Sequence, residues 1–215
     1  MIVALATVLM PGAAQAATID FAGLGNAEIV TIAGVRNVTA WAGELLWTWG
    51  GAPDADPFYS YCVDIRNNEL NHQVVDVKST AGMATDSMVA TPYAAEKAAW
   101  LFNTFAGMAH ASSGDALGAG LQLAIWEVLF DTDGALTTGA FRVTAASTQA
   151  LAAGAWFLGQ LANSGDAYTL ASATWLDATS GYGQDQITTP EPGTLLLLGT
   201  GLAGLAARRR RKTQA

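Results

Sequence analysis

The sequence predicts an α+β fold: a β-rich, sandwich- or barrel-like domain with an inserted helical middle of about three helices, followed by a C-terminal transmembrane helix. Three observations lead there. Residues 18–77 are built from segments rich in Val, Ile, Thr, Trp and Tyr, separated by turn-forming residues. Residues 92–162 replace that pattern with Ala- and Leu-rich runs at helical spacing. An apolar run at 194–207 leads directly into a cluster of arginines.

The totals bound the protein class. At 215 residues, 51% hydrophobic and with seven Trp, the chain can bury a core and is no disordered polymer. Its formal charge of −8 is unevenly spread. Five of the ten Lys and Arg are Arg208, Arg209, Arg210, Arg211 and Lys212. With that tail and Glu191 set aside, the body holds five basic residues against seventeen acidic ones. Such a body argues against nucleic-acid binding and suits a soluble, exported protein.

Taken in order, residues 2–10 are apolar and are followed by Pro11-Gly12 and Ala14-Gln15-Ala16, a small-x-small pattern. They read as the core and processing site of a secretory signal spanning 1–16, with cleavage between Ala16 and Ala17. The basic residues that open such signals are missing, and the expectation is a true start upstream of Met1, with a short native signal as the alternative. Strands are expected at 28–35, 39–49, 58–65 and 73–77. In the second, Trp41, Leu45, Trp47 and Trp49 alternate and should share a core-facing side. Thr91-Pro92 reads as an N-cap and first helical residue, with a helix to about Phe105 and a stop at Gly107. A second helix should be capped near Ser113-Gly114-Asp115 and run to Phe130. A third spans 147–162, weakened by Gly154 and Gly159. Strand character returns at 168–176, and the polar, Gly-rich segment 177–189 reads as a linker. The organisation expected is a signal at 1–16, a globular domain at 17–187 and a sorting tail at 188–215.

Two residues stand out chemically. In the helix Leu121-Gln122-Leu123-Ala124-Ile125-Trp126-Glu127, Gln122 shares an apolar face with Ile125, Trp126 and Leu129, while Glu127 points elsewhere. An unpaired amide on that face would cost roughly 1–3 kcal/mol. Cys62, in Tyr61-Cys62-Val63-Asp64, is the only cysteine, so an exported chain cannot close an internal disulfide. The plain reading is a small buried hydrophobe and an amide satisfied by backbone. The reactive reading joins the two as an internal thioester formed with loss of ammonia. Tyr59, Tyr61 and Trp126 would form its dry wall. Asp64 and Glu127 are near in sequence, but no base is assigned.

Two resemblances bear on these stretches. Pro190-Glu191-Pro192, the short apolar run 194–207 and the basic end at Arg208, Arg209, Arg210 and Arg211 resemble the PEP-CTERM sorting signal. That resemblance implies a Gram-negative bacterium that makes extracellular polysaccharide. It also implies transient anchoring in the inner membrane, processing by an exosortase at or near Pro190-Glu191-Pro192, and delivery to the cell surface or matrix. Tyr61-Cys62-Val63 and Leu121-Gln122-Leu123-Ala124-Ile125-Trp126, with Ala98-Ala99-Trp100-Leu101 between them, resemble the thioester domains of Gram-positive surface adhesins. That likeness implies a Cys62–Gln122 bond able to capture surface amines or an exopolysaccharide.

Turnover chemistry is not expected. His72 and His110 are the only histidines, and His110 falls in a Gly/Ala/Ser-rich stretch that reads as a loop. Asp131-x-Asp133-Gly134 resembles part of a Ca²⁺ loop, but the remaining ligands and the closing Glu are absent. It reads as a turn ending a helix. No metal site and no cofactor are expected, and the sequence contains no phosphate-binding Gly loop or His-Glu-x-x-His motif. The alternative to covalent capture is a non-catalytic structural protein of the exopolysaccharide or biofilm matrix.

Overall fold

A computed structural model describes residues 16–50, 56–83 and 92–189. Most of the secretory signal, Thr91, Pro190-Glu191-Pro192, the apolar run and the arginine cluster lie outside the described residues. Among the described residues no helix is long and apolar enough to cross a membrane.

The fold is α+β. Seven antiparallel strands, β1 (Ala16–Gly34), β2 (Val38–Trp49), β3 (Phe58–Cys62), β4 (His72–Ser79), β5 (Phe141–Ala145), β6 (Thr174–Ala178) and β7 (Gln186–Thr188), form one sheet. Its order is β2-β3-β7-β6-β4-β1-β5, and β2 also pairs with β1. Six strands therefore close a ring, and β5 adds to the far end of β1 outside it. The long first strand makes this possible. Its start pairs with β4 (Ala17 with Val75), its middle with β2 (Ile29 with Trp41) and its end with β5 (Gly34 with Phe141). Ala16 and Ala17 are the first two residues of β1.

Four α-helices accompany the sheet among the described residues: α1 (Thr80–Met83), α2 (Ala94–His110), α3 (Asp115–Phe130) and α4 (Thr148–Ala162). A 3₁₀ turn at Ala167–Leu170 precedes β6. The central helix α3 packs on β1 and β2 and is flanked by α2 and α4. Every residue from Gly118 to Phe130 is consequently buried. Glu127 points away from the Gln122 face, toward Asp131 and Asp133, yet is itself only 1% exposed.

Glycines set the α3–α4 contact. A Cβ on Gly120 would lie 2.6 Å from Ala153 Cβ, 2.8 Å from the Gly154 nitrogen and 2.9 Å from the Ala150 carbonyl oxygen. Gly154, which weakens α4 as an isolated helix, lets the two backbones approach. Gly120→Ala is expected to cost about 1–3 kcal/mol despite its better helix propensity, because backbone atoms must move. Chemical denaturation checks the sign.

Several expectations are corrected. The segment 177–189 is no linker, because β7 lies between β3 and β6. Gln184 and Gln186 are buried because their amides find partners. Trp47 Nε1 donates to Ser60 Oγ at 2.9 Å, Ser60 Oγ donates to Gln186 Oε1 at 3.0 Å, and Gln186 Nε2 donates to Gln184 Oε1 at 3.0 Å. Trp41 is 50% exposed while Ala42 is buried. The faces of β2 exchange around Gly43, whose φ of +139° puts it where a Cβ would strike the Asn26 backbone. Helix α2 begins at Ala94 after Tyr93 in a left-handed conformation, and it passes Gly107, which has open space around it. His110 is its last residue rather than part of a loop. The helix at 147–162 matches α4, with Ser147 Oγ accepting from the Ala150 N–H at 3.0 Å.

Candidate functional site: a cysteine and a glutamine docked on each other

Cys62 closes β3 and Gln122 sits in the middle of α3, so their meeting follows from how that helix packs on the ring. The contact is reciprocal. The Cys62 backbone N–H donates to Gln122 Oε1 at 2.9 Å, and Gln122 Nε2 donates to the Cys62 carbonyl oxygen at 2.7 Å. The carboxamide thus mimics one rung of a β-ladder at a strand end and satisfies both backbone groups. Cys62 is 3% exposed and Gln122 1%.

The sulfur is held as firmly. Cys62 Sγ donates to the Asp64 carbonyl oxygen at 3.2 Å. Burial pushes the thiol well above its usual pKa, and the Asp64 carboxylate adds to the rise. The Trp126 indole N–H leans toward the sulfur and opposes that shift, without reaching any acceptor at hydrogen-bonding distance. The neutral thiol is therefore the resting form. Asp64 turns its carboxylate away, accepting from the Arg66 backbone N–H at 2.9 Å and from Asn67 Nδ2 at 2.6 Å. Glu127 faces Asp131 and Asp133 instead. Neither is thereby placed as a base.

Cys62, Gln122 and Trp126 line a cleft of about 200 Å³, with apolar Ile32 and Ile65 and polar Asn67 among its other walls. Tyr59 and Tyr61 do not line it. Side chains alternate along β3, so they project opposite to Ser60 and Cys62. Tyr61 meets Phe102 edge-on at 6.0 Å, and Tyr59 stacks on His110 at 4.5 Å. Of the expected dry wall only Trp126 stands at the cleft.

Sequence reasoning passed over Glu44, which is buried beside this strand. It accepts from Tyr61 Oη at 3.4 Å and from the Asn26 backbone N–H at 3.3 Å, and lies 3.2 Å from His110 Nδ1. A lone acid in a Trp-rich strand was the available signal. His72 pairs with Asp20 at 2.6 Å on the surface. The sulfur's hydrogen bond goes to the backbone, so the structure gives a Cys/His nucleophile no support.

A strand-borne thiol and a helix-borne carboxamide are buried together under a small cleft, and this pair is the candidate site of the domain. Residues 188–211 match the PEP-CTERM protein-sorting motif, so the chain carries the sorting signal of an exosortase substrate, a signal for export to the cell surface. In structure the chain is similar to the N-terminal thioester domain of fibronectin-binding protein SfbI from Streptococcus pyogenes, with a TM-score of 0.45 and 12% identity, over 74% of this chain and 91% of that one. It is similarly related to the N-terminal thioester domain of a protein F2 like fibronectin-binding protein from Streptococcus pneumoniae, with a TM-score of 0.46 and 10% identity, over 80% and 92%. No curated protein matches the chain in sequence.

Proposed function

We propose that this is an exported surface or matrix protein whose domain binds covalently through a Cys62–Gln122 thioester. The observation that supports this is the mutual docking of the Cys62 backbone and the Gln122 carboxamide beneath a cleft. In the reaction, Cys62 Sγ adds to the Gln122 carboxamide carbon, and the Cys62 N–H steadies the oxygen as charge builds on it. The thiol proton passes to the nitrogen, the C–N bond breaks, and ammonia leaves behind a C–S bond. No external base is consumed, which suits a thiol that burial keeps neutral. An incoming amine or hydroxyl then takes the acyl group and returns the free thiol, a single event without turnover. Surface amines and exopolysaccharide hydroxyls are the targets this chemistry admits. The tail, anchored in the inner membrane by residues 194–207 until an exosortase cuts at Pro190-Glu191-Pro192, would deliver the module.

Intact mass tests the bond. The exported protein is expected to be one ammonia lighter than its sequence and to gain one methylamine on treatment with that amine. Cys62→Ala and Gln122→Ala should each abolish both changes. A second reading, a structural matrix protein without the bond, draws on the same hydrogen bonds, because they already satisfy the Gln122 amide. A full-mass protein whose thiol alkylates in denaturant would establish that reading and end the first.

A further inference from the structure

A second cluster lies at the opposite end of α3. The helix ends at Phe130, and Asp131 turns extended as the chain leaves toward β5. Asp131 Oδ1 accepts from the Thr132 N–H at 2.6 Å, and Asp131 Oδ2 accepts from the Phe141 N–H at 2.9 Å. Asp133 Oδ1 accepts from the Ala135 N–H at 2.8 Å, and Asp133 Oδ2 from Thr138 Oγ1 at 2.8 Å. These bonds, with a longer one from the Asp133 N–H to Asp131 Oδ1 at 3.3 Å, fix both carboxylates, and Asp131 Oδ2 and the two Asp133 oxygens each keep a second lone pair. One turn back, Glu127 completes a triad whose oxygens lie within 4.8 Å of one another.

Glu127 distinguishes this from an ordinary acidic loop. It is 1% exposed, and neither carboxylate oxygen has a hydrogen-bond partner. A buried, unpartnered carboxylate facing two more carboxylates is costly unless a proton or a cation joins them. Burial first, and then the neighbouring carboxylates of Asp133 and Asp131, push Glu127 up to about 8. The cluster also borders a cavity of about 780 Å³, which gives an ion a route in. Lys97 lines that cavity but sits over the Tyr168 ring at 5.5 Å.

We propose that Glu127, Asp131 and Asp133 bind a calcium ion that ties the end of α3 to the loop entering β5. The donors are all hard oxygens, and two ligands on opposite sides of Ca²⁺ sit about 4.8 Å apart, twice a bond of about 2.4 Å. Mg²⁺ needs a tighter octahedron and sheds its waters reluctantly. The closing acid that the Asp131-x-Asp133 stretch lacks downstream comes from upstream, on the helix.

The test uses the full chain in detergent micelles, freed of metal on a chelating resin and titrated with calcium chloride. Saturable binding at one site is expected, with a thermal midpoint that rises by several degrees. Glu127→Gln and Asp133→Asn should both lose the response. Glu127→Gln should also melt no lower than the metal-free wild type, since the amide relieves the crowding of carboxylates. Asp133 is exposed, so its variant serves even if Glu127→Gln fails to fold. No binding at millimolar calcium, an equal response to magnesium, or a response that survives in Asp133→Asn would overturn the site. Cys62→Ala should keep the calcium response in full, which makes the outcome independent of the thioester.

Discussion

Replacing Gln122 with leucine is expected to lower stability by about 2–5 kcal/mol, even in a protein that forms no thioester. The change roughly keeps volume and suits the apolar surroundings, but it strips the partners from the Cys62 N–H and carbonyl oxygen, which Gln122 holds at 2.9 and 2.7 Å. Each orphaned backbone group costs about 1–3 kcal/mol where water cannot reach it. The comparison belongs in a Cys62→Ala background, which removes the sulfur but leaves that backbone in place. Cys62→Ala alone should cost only about 1 kcal/mol, the loss of a small buried side chain. Denaturant titration of the single and double variants separates the two effects. Equal midpoints would mean that the carboxamide does not carry the strand end. A large additional drop confined to wild type would instead point to the covalent bond.

The largest expected effect falls on residues that read as linker. A chain ending at Asp185 should fail to fold cooperatively, whereas one ending at Thr189 should match the full domain. The difference is β7, which is paired to β3 and β6 at once. Without it the ring opens, two strand edges lose their partners, and Ser60, which accepts from Trp47, loses the amide of Gln186. Ile187→Asp tests the same element without truncation. It places a carboxylate at a fully buried position, which is expected to cost about 4 kcal/mol or more. Circular dichroism melts and amide exchange on Tyr59 and Tyr61 would read both. Indistinguishable melts for the two truncations would remove β7 from the ring.

These two cases also show how far the sequence could be read. The three long helices, β2, β3 and β4 were legible because their side chains alternate or repeat at the period of the element. The Cys62–Gln122 contact was legible because an amide on an apolar helix face must find a partner, and the chain's lone cysteine lay in a motif paired with it. Strand β7 was hidden because Gln184, Asp185 and Gln186 look solvated, and their burial depends on partners more than a hundred residues away, such as Gln73 and Ser60. Trp41 was misplaced because Gly43 reverses the faces of β2, and a glycine does not announce its φ. The burial of Glu127 was not legible because a helix packed on all sides has no polar face to mark where its acid lies. The acidic triad was missed for a related reason: its third member lies before the loop, where a linear motif would place it after.

Thr188 is both the last residue of β7 and the first residue of the sorting motif. Pro190 is two peptide units further on, at most about 7 Å along the chain. The processing enzyme therefore meets no flexible spacer between its recognition sequence and a closed, rigid body. Either cleavage precedes closure of the ring, or the enzyme's entrance must accept the rim of the barrel against it. Lengthening that junction with a few glycines would relieve the crowding, so the rate of maturation becomes a gauge of whether folding or sorting comes first.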